Sequence, residues 1–360
     1  MATSRVIPDF NPLTLMKYRA ARNLKTRNAK VAFIGDSTFA GIETGGTTAQ
    51  VLHSIPMQLA AKLQARGINA GANNRFGAGS ALFSTLLTID SRVTGTGAWS
   101  NTATLAVGGN ATGCASAGSM TFTPQANVTK FDIWWRDGAA GRNFSWAVDA
   151  GGATTINSSG TTQIVKTTVS AGAAGIHALT LAWVAGSITI LGIDAYDDTS
   201  SRRELSIWNW GISGATSANL IDNTDSVAGR LAEITAMAPD LSIVEGGIIN
   251  DWRNSLGTAA TVTNLTTLFT TCQAVGDVIY YTPRFDNAGT GDAANQNAYV
   301  AAATALAVSM NIPVLDARSL FGSFAIGNAA GFYSDTVHGD TGGSGYGDEA
   351  DHVLRALLTV

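Results

Sequence analysis

The stretch VAFIGDSTFAG, Val31 to Gly41, decides how the chain is read. Lys30 to Gly35 is a short β-branched and aromatic run with no inside-outside alternation, the mark of a strand buried on both faces of a parallel sheet. It stops at Gly35-Asp36-Ser37 and enters a polar loop, DSTFAGIETGGTT. Next, AQVLHSIPMQLAAKLQARG places Val51, Leu52, Ile55, Leu59 and Leu63 at helical spacing and ends at Gly67, a natural C-cap. Pro56 within that pattern calls for either a kink or a helix that begins later. Strand, loop and helix in this order open an α/β unit.

The texture changes between about Val93 and Asp198. FDIWWRD, FSWAVDAGGA, TQIVKTTV, HALTLAWV and SITILGIDAYD alternate at period two, with Gly-rich connectors and no helix between them. They predict a compact all-β sandwich, jelly-roll-like, over residues 93–202. After Arg203 the earlier rhythm returns. ELSIWNWG, LSIVEGG, DVIYYTP and IPVLD read as strands. SANLIDNTDSVAGRLAEITAM, TVTNLTTLFTTCQAVG, AANQNAYVAAATALAVSM and GDEADHVLRALLTV read as helices. Apolar strands alternating with helices predict a parallel sheet covered on both faces. The predicted organisation is therefore a discontinuous α/β domain, residues 1–92 and 203–360, interrupted by the sandwich.

Composition narrows the functional classes. Charged residues are 13% of the 360, so Ser, Thr, Asn, Gly and Ala must cover much of the surface. That composition suits work outside a cell or on a virion. The net charge of −4 and the lack of a Lys/Arg-rich run argue against a nucleic-acid partner. No stretch reaches transmembrane length, which argues against membrane insertion. The first thirty residues lack a signal-peptide apolar region and read as a basic, partly helical lead-in from Leu13 to Leu24. Cys114 and Cys272 are too few for a four-cysteine zinc site; two buried thiols are expected, with a single disulfide as the alternative. A homo-oligomer is compatible with the sequence.

In an open parallel sheet the ligand site lies at the carboxyl ends of the strands. Asp36 and Ser37 follow the first strand. GISG, with Gly211 and Gly214, follows LSIWNW; Asn250 and Asp251 follow LSIVEGGII; Asp335 and His338 lie in YSDTVHGD after the last strand. These residue types can perform acyl transfer. A serine hydroxyl becomes a nucleophile when an imidazole takes its proton, and a carboxylate on the other ring nitrogen fixes the tautomer. Ser37, His338 and Asp335 supply these parts. Ser37 N–H, Gly214 N–H and the Asn250 amide are candidate donors to the oxyanion. A side chain at 214 would block substrate from that N–H. His352, with Asp348 four residues before it, is the competing base; His338 is preferred because it lies in a loop.

The blocks GDS, GISG, IIND and DTVH, in this order, resemble the four blocks of the SGNH (GDSL-type) hydrolases. The resemblance covers the α/β segments and implies a flavodoxin-like three-layer fold, hydrolysis of esters, thioesters or O-acetyl groups, and neither metal nor cofactor. It implies Ser37 as nucleophile, Gly214 and Asn250 as oxyanion donors, His338 as base, Asp335 as its orienting carboxylate, and Asp36 as support for the nucleophile loop. Two positions depart from the pattern. Thr38 stands where the family name has leucine. Ile248 stands where the third block usually has glycine, so either the loop needs no positive φ there or Gly246-Gly247 makes the bend earlier. An inserted sandwich also resembles carbohydrate-binding modules, as in bacterial and virion-borne polysaccharide deacetylases. The expected function is a serine esterase removing small acyl groups, acetate above all, from an acylated carbohydrate or another small ester. The alternatives are a lipase or thioesterase, and an inactive glycan-binding protein.

Overall fold

The computed structural model describes residues 14–24, 27–42, 50–77, 83–199, 203–224, 227, 229–287, 293–340 and 345–358. Leu13, at the start of the predicted lead-in, and residues 200–202, at the end of the predicted sandwich, lie outside them. The chain runs through α1 (Met16–Leu24), β1 (Ala29–Gly35), α2 (Ser37–Ala40), α3 (Ile55–Gln64), β2 (Ala70–Gly71), β3 (Asn74–Phe76) and α4 (Phe83–Ile89). Strands then follow one another: β4 (Val93–Ala106), β5 (Gly109–Phe122), β6 (Val128–Asp137), β7 (Asn143–Val148), β8 (Thr154–Ile156), β9 (Gln163–Gly175), β10 (Leu179–Ala185) and β11 (Ile188–Tyr196). The final part comprises β12 (Leu205–Gly211), α5 (Ser217–Leu220), α6 (Arg230–Met237), β13 (Leu241–Val244), α7 (Ile248–Arg253), α8 (Thr258–Val275), β14 (Asp277–Tyr281), α9 (Ala293–Ser309), β15 (Val314–Leu315), α10 (Arg318–Phe321), α11 (Phe324–Ala329) and α12 (Gly345–Leu358).

Six strands form a parallel sheet in the order β15-β14-β13-β1-β12-β2. β1 is central, paired along its length with β12 and, over Val31–Ile34, with β13. Its side chains serve two cores. Val31 and Phe33 pack with α1, α3 and α12, whereas Ala32 and Ile34 face the layer built on α6, α8 and α9. Burial on both faces explains the uninterrupted apolar run. The chain leaves β1 toward β12 on one side and returns past it to β13 on the other. That reversal opens a crevice at the carboxyl ends of these three strands.

The nine-stranded sheet is antiparallel, in the order β8-β7-β10-β5-β11-β6-β9, with β4 added on β5 and β3 on β11. The two halves of β5 pair with different strands: Thr112–Cys114 with β11, Ser119–Phe122 with β10. The network thus divides into two wings that close on a shared core. Trp135 of β6 meets Phe144 of β7 edge-on, 5.4 Å between ring centroids. Over the residues where an all-β sandwich was expected, one connected network folds onto itself. It also recruits chain from before Val93, because β3 pairs with β11 and Phe83 and Leu86 of α4 enter its core. The two sheets are fastened together at Phe76, whose ring lies 5.3 Å from Trp208 and 5.7 Å from Trp210. Glu233 of α6 adds a bond, accepting from the Val107 N–H at 3.0 Å.

Local details settle open points. A 3₁₀ turn occupies Gln50–His53 and α3 begins afterward, with Pro56 in its first turn, where a missing N–H breaks no helical bond. The helix expected over 217–237 is two helices. Asp222 accepts from the Thr224 N–H at 3.0 Å, the local bonding by which Asn, Asp and Thr compete with a helix. Cys114 and Cys272 are free and buried. No helix among the described residues is long and apolar enough to cross a membrane.

Candidate active site

Ser37 is the first residue of α2, directly beyond the end of β1. The sequence reading made this stretch a loop, but Asp36 caps a single helical turn, accepting from the Thr38 N–H and hydroxyl, each at 2.9 Å. The capped turn fixes the Ser37 backbone and presents its hydroxyl at the crevice, 8% exposed. Ser37 Oγ lies 2.9 Å from His338 Nε2, although 301 residues separate them. His338 Nδ1 lies 2.7 Å from Asp335 Oδ2. A carboxylate only accepts, so Nδ1 carries the proton and Nε2 is left to accept from the serine.

The loop holding Asp335 and His338 is tied in several places. Asp335 Oδ1 accepts from the N–H groups of Val337 at 2.7 Å and His338 at 2.6 Å. Burial alone would raise the Asp335 carboxyl. The bonds from the His338 ring and these two N–H groups outweigh burial and hold the carboxyl well below the usual carboxylate range. Behind the loop, buried Arg284 pairs with Glu349 of α12 inside a cage of Tyr346, Tyr333 and Phe321 rings, 4.9–5.4 Å away. Tyr346 reaches across to the segment after α2, donating its hydroxyl to the Ile42 carbonyl at 2.6 Å.

The remaining predicted residues surround this relay. Gly246 and Gly247 take φ of +86° and +70°, so the bend falls there and Ile248 opens α7 with ordinary helical geometry. Asn250 consequently sits on a helix. Its Nδ2 donates to Asp36 Oδ2 at 3.2 Å and to the Ala215 carbonyl at 2.9 Å, which engages both amide hydrogens. Gly214 is exposed with φ +73°, and a Cβ there would meet nothing within 4 Å. The left-handed backbone by itself calls for glycine at 214. Asp251 is buried and accepts from the Ser217 N–H at 2.9 Å and the Thr261 hydroxyl at 2.7 Å, tying α7 to α5 and α8.

Sequence reasoning missed Glu245. Its Oε2 accepts from the Asp36 N–H at 3.3 Å and the Gly247 N–H at 2.9 Å, and the side chain is 1% exposed. Burial and the charge of Asp36 push its carboxyl well above the ordinary range. Burial likewise raises the Asp36 carboxyl, against the bonds it accepts from Thr38. The signal was present: an acid closes the apolar run LSIVE. His352, the competing base, is buried in α12 with Arg355 and Asp316 as its charged neighbours. Burial, with the charge of Arg355, pushes its imidazole down to about 4. Among the described residues no group of three or more His, Cys, Asp or Glu side chains is placed to hold a metal ion.

The hydrogen-bonded chain from Ser37 through His338 to Asp335 lies at the carboxyl rim of a doubly wound sheet. Residues 195–344 match the model of the GDSL-like Lipase/Acylhydrolase family. That match includes Gly214, Asn250, Asp335 and His338 and begins within the last two residues of β11. A solved structure titled as a peptidoglycan O-acetylesterase in action is similar over 95% of this chain and 94% of its own, with TM-score 0.71 and 17% identity. The chain therefore shares the fold of that structure. A lipase/acylhydrolase from Enterococcus faecalis is 19% identical over 43% of this chain and 76% of its own, with TM-score 0.34. A family two carbohydrate esterase from Clostridium thermocellum, an active-site mutant, is 12% identical over 69% and 94%, with TM-score 0.35. No curated protein matches significantly.

Proposed function

We propose that the protein is a serine esterase that removes small acyl groups, acetate first among them, from a carbohydrate. The observation that carries this reading is the continuous hydrogen-bonded chain from Ser37 through His338 to Asp335. In the first half-reaction Ser37 Oγ bonds to the ester carbonyl carbon while its proton passes to His338 Nε2. Asp335 holds the ring in the required tautomer and stabilises the imidazolium. The oxyanion accepts from the Ser37 and Gly214 N–H groups. Asn250 joins them by turning one amide hydrogen from Asp36, the longer of its two bonds, toward the substrate. Collapse breaks the bond to the sugar oxygen, which takes the proton from His338. Water then attacks the acyl-serine with His338 again as base, releasing acetate and restoring the Ser37 hydroxyl.

Carbohydrate is favoured as the acyl carrier by the substrate named for the structure similar over the whole chain, a peptidoglycan O-acetyl group. The test compares p-nitrophenyl acetate, p-nitrophenyl octanoate and a panel of O-acetylated polysaccharides, with Ser37→Ala as control. Acetate release from a polysaccharide, lost in Ser37→Ala, is expected. Preference for octanoate would make the protein a lipase, and turnover surviving Ser37→Ala would remove the serine mechanism.

A further inference from the structure

A second concentration of charge lies at the amino end of the parallel sheet. A cavity of about 370 Å³ opens where the starts of β1 and β12 meet β6, β9 and β11, within the range of small-molecule sites. Lys30 enters it from β1, Lys130 from β6, Lys166 from β9 and Arg203 from the approach to β12, while Asp194 and Tyr196 of β11 form another wall. Cations from separate elements of two sheets repel unless something compensates them. Lys130 has Asp198, and Lys166 has Asp132 at 3.2 Å.

Lys30 is different. Its Nζ donates to the Met237 carbonyl at 3.2 Å and lies 4.8 Å from the centroid of the Trp208 ring. Among the described residues no carboxylate is within ion-pair distance of it. It shares the Trp134 ring with Lys166, each ammonium 5.8 Å from the centroid. Burial, with the charge of Lys166, pushes the Lys30 ammonium below its usual range, while Asp194 pulls the other way. Asp194 compensates only in part, because burial and Asp132 push its own carboxyl up to about 7. Positive charge is left over in a cavity whose other walls, among them Asn28, Tyr196 and Ser206, offer neutral polar groups.

We propose that this cavity binds a small polyhydroxy anion, its carboxylate or phosphate held by Lys30 and Lys166 and its hydroxyls by Asp194 and the neutral polar walls. Seven residue-to-residue steps lead from Lys30 along β1 to Ser37, about 23 Å, so the occupant does not touch the acyl-transfer site. The proposal is independent of the esterase reading.

Calorimetry on the full chain at low ionic strength tests it with glucuronate, glucose 6-phosphate and glucose. At least one of the two anions is expected to bind saturably, about tenfold or more tighter than glucose, and more weakly as salt is added. Binding of glucuronate alone assigns a carboxylate, binding of glucose 6-phosphate alone a phosphate, and binding of both a site that reads charge. Lys166→Gln, at a half-exposed position, is expected to weaken the preferred anion about tenfold; Lys62→Gln, on the surface of α3, is expected to leave it unchanged. Lys30→Met is expected to abolish binding where circular dichroism shows it folded. Equal affinity for glucose, no binding of either anion at millimolar concentration, or indifference to Lys166→Gln would overturn the proposal.

Discussion

The two ends of β1 handle charge in opposite ways. At the carboxyl end Ser37, His338 and Asp335 form a relay in which each polar atom has a partner, with the buried acids Asp36, Glu245 and Asp251 behind it. A positive imidazolium formed there would be met by carboxylate on more than one side. At the amino end cations converge, and one of them, Lys30, has a main-chain carbonyl and an indole face in place of an acid. In a doubly wound sheet the carboxyl rim is where loops diverge and a crevice forms. Here the antiparallel sheet leans on the other rim and encloses a second cavity where the strands begin. One central strand therefore joins two polar sites that have no atom in common.

Five substitutions test that division. The largest effect is expected from Ser37→Ala, which should lower p-nitrophenyl acetate turnover by about 10⁴-fold or more while leaving anion binding at the other end intact. Joint loss of both in a folded variant would break the separation. Asp335→Asn should cost about 10³- to 10⁴-fold in kcat by freeing the wrong imidazole tautomer, whereas Asp348→Asn on the surface of α12 should leave kcat within about twofold. The reverse ranking, read from the same kinetics, would transfer the base to His352.

Asn250→Ala should lower kcat about 100-fold, the effect of losing one oxyanion donor. An unchanged kcat would mean that the amide stays on Asp36 and Ala215 throughout turnover. The smallest effect belongs to the amino end. Glu204, buried at the start of β12, has its carboxyl pushed up to about 8, by burial first and then by Asp194 and Asp197. Its folded pKa exceeds the unfolded value of about 4.3. Its contribution is fully present below about pH 4.3 and is lost as pH rises to about 8. Glu204→Gln should therefore flatten the fall in Tm between pH 5 and pH 8 by a few degrees, measured by calorimetry. An unchanged slope would show that Glu204 is not the group responsible.

The carboxyl rim was legible in the sequence because its residues are marked by position. Each follows an apolar strand, and residue type there answers to chemistry more than to packing. Asp335 and His338, three apart in a loop, form a local pattern of the same kind. The short helices were not legible. α2 and α7 have fewer than two turns each, set by Asp36 capping and by the Gly246-Gly247 bend, too brief to show a period. β4 and β5 were missed because GNATGCASAGSMTF is built of small residues with no alternation, and its burial comes from neighbours on both sides. The amino-end cavity left no trace at all. Lys30, Lys166 and Arg203 are brought together by two sheets meeting, and no window of sequence contains them.

The placement of β1 carries a consequence for biosynthesis. Its hydrogen-bonding edges are filled by β12 and β13, and the first of those partners begins at Leu205. At about 5–20 residues per second, the ribosome would hold an apolar segment without its sheet neighbours for about 10–35 s. During that interval the strands from β4 to β11 emerge and can close on their own core. Their early completion would bring β12 back toward the waiting segment, and slow folding of that region would prolong exposure of a sticky edge to other nascent chains.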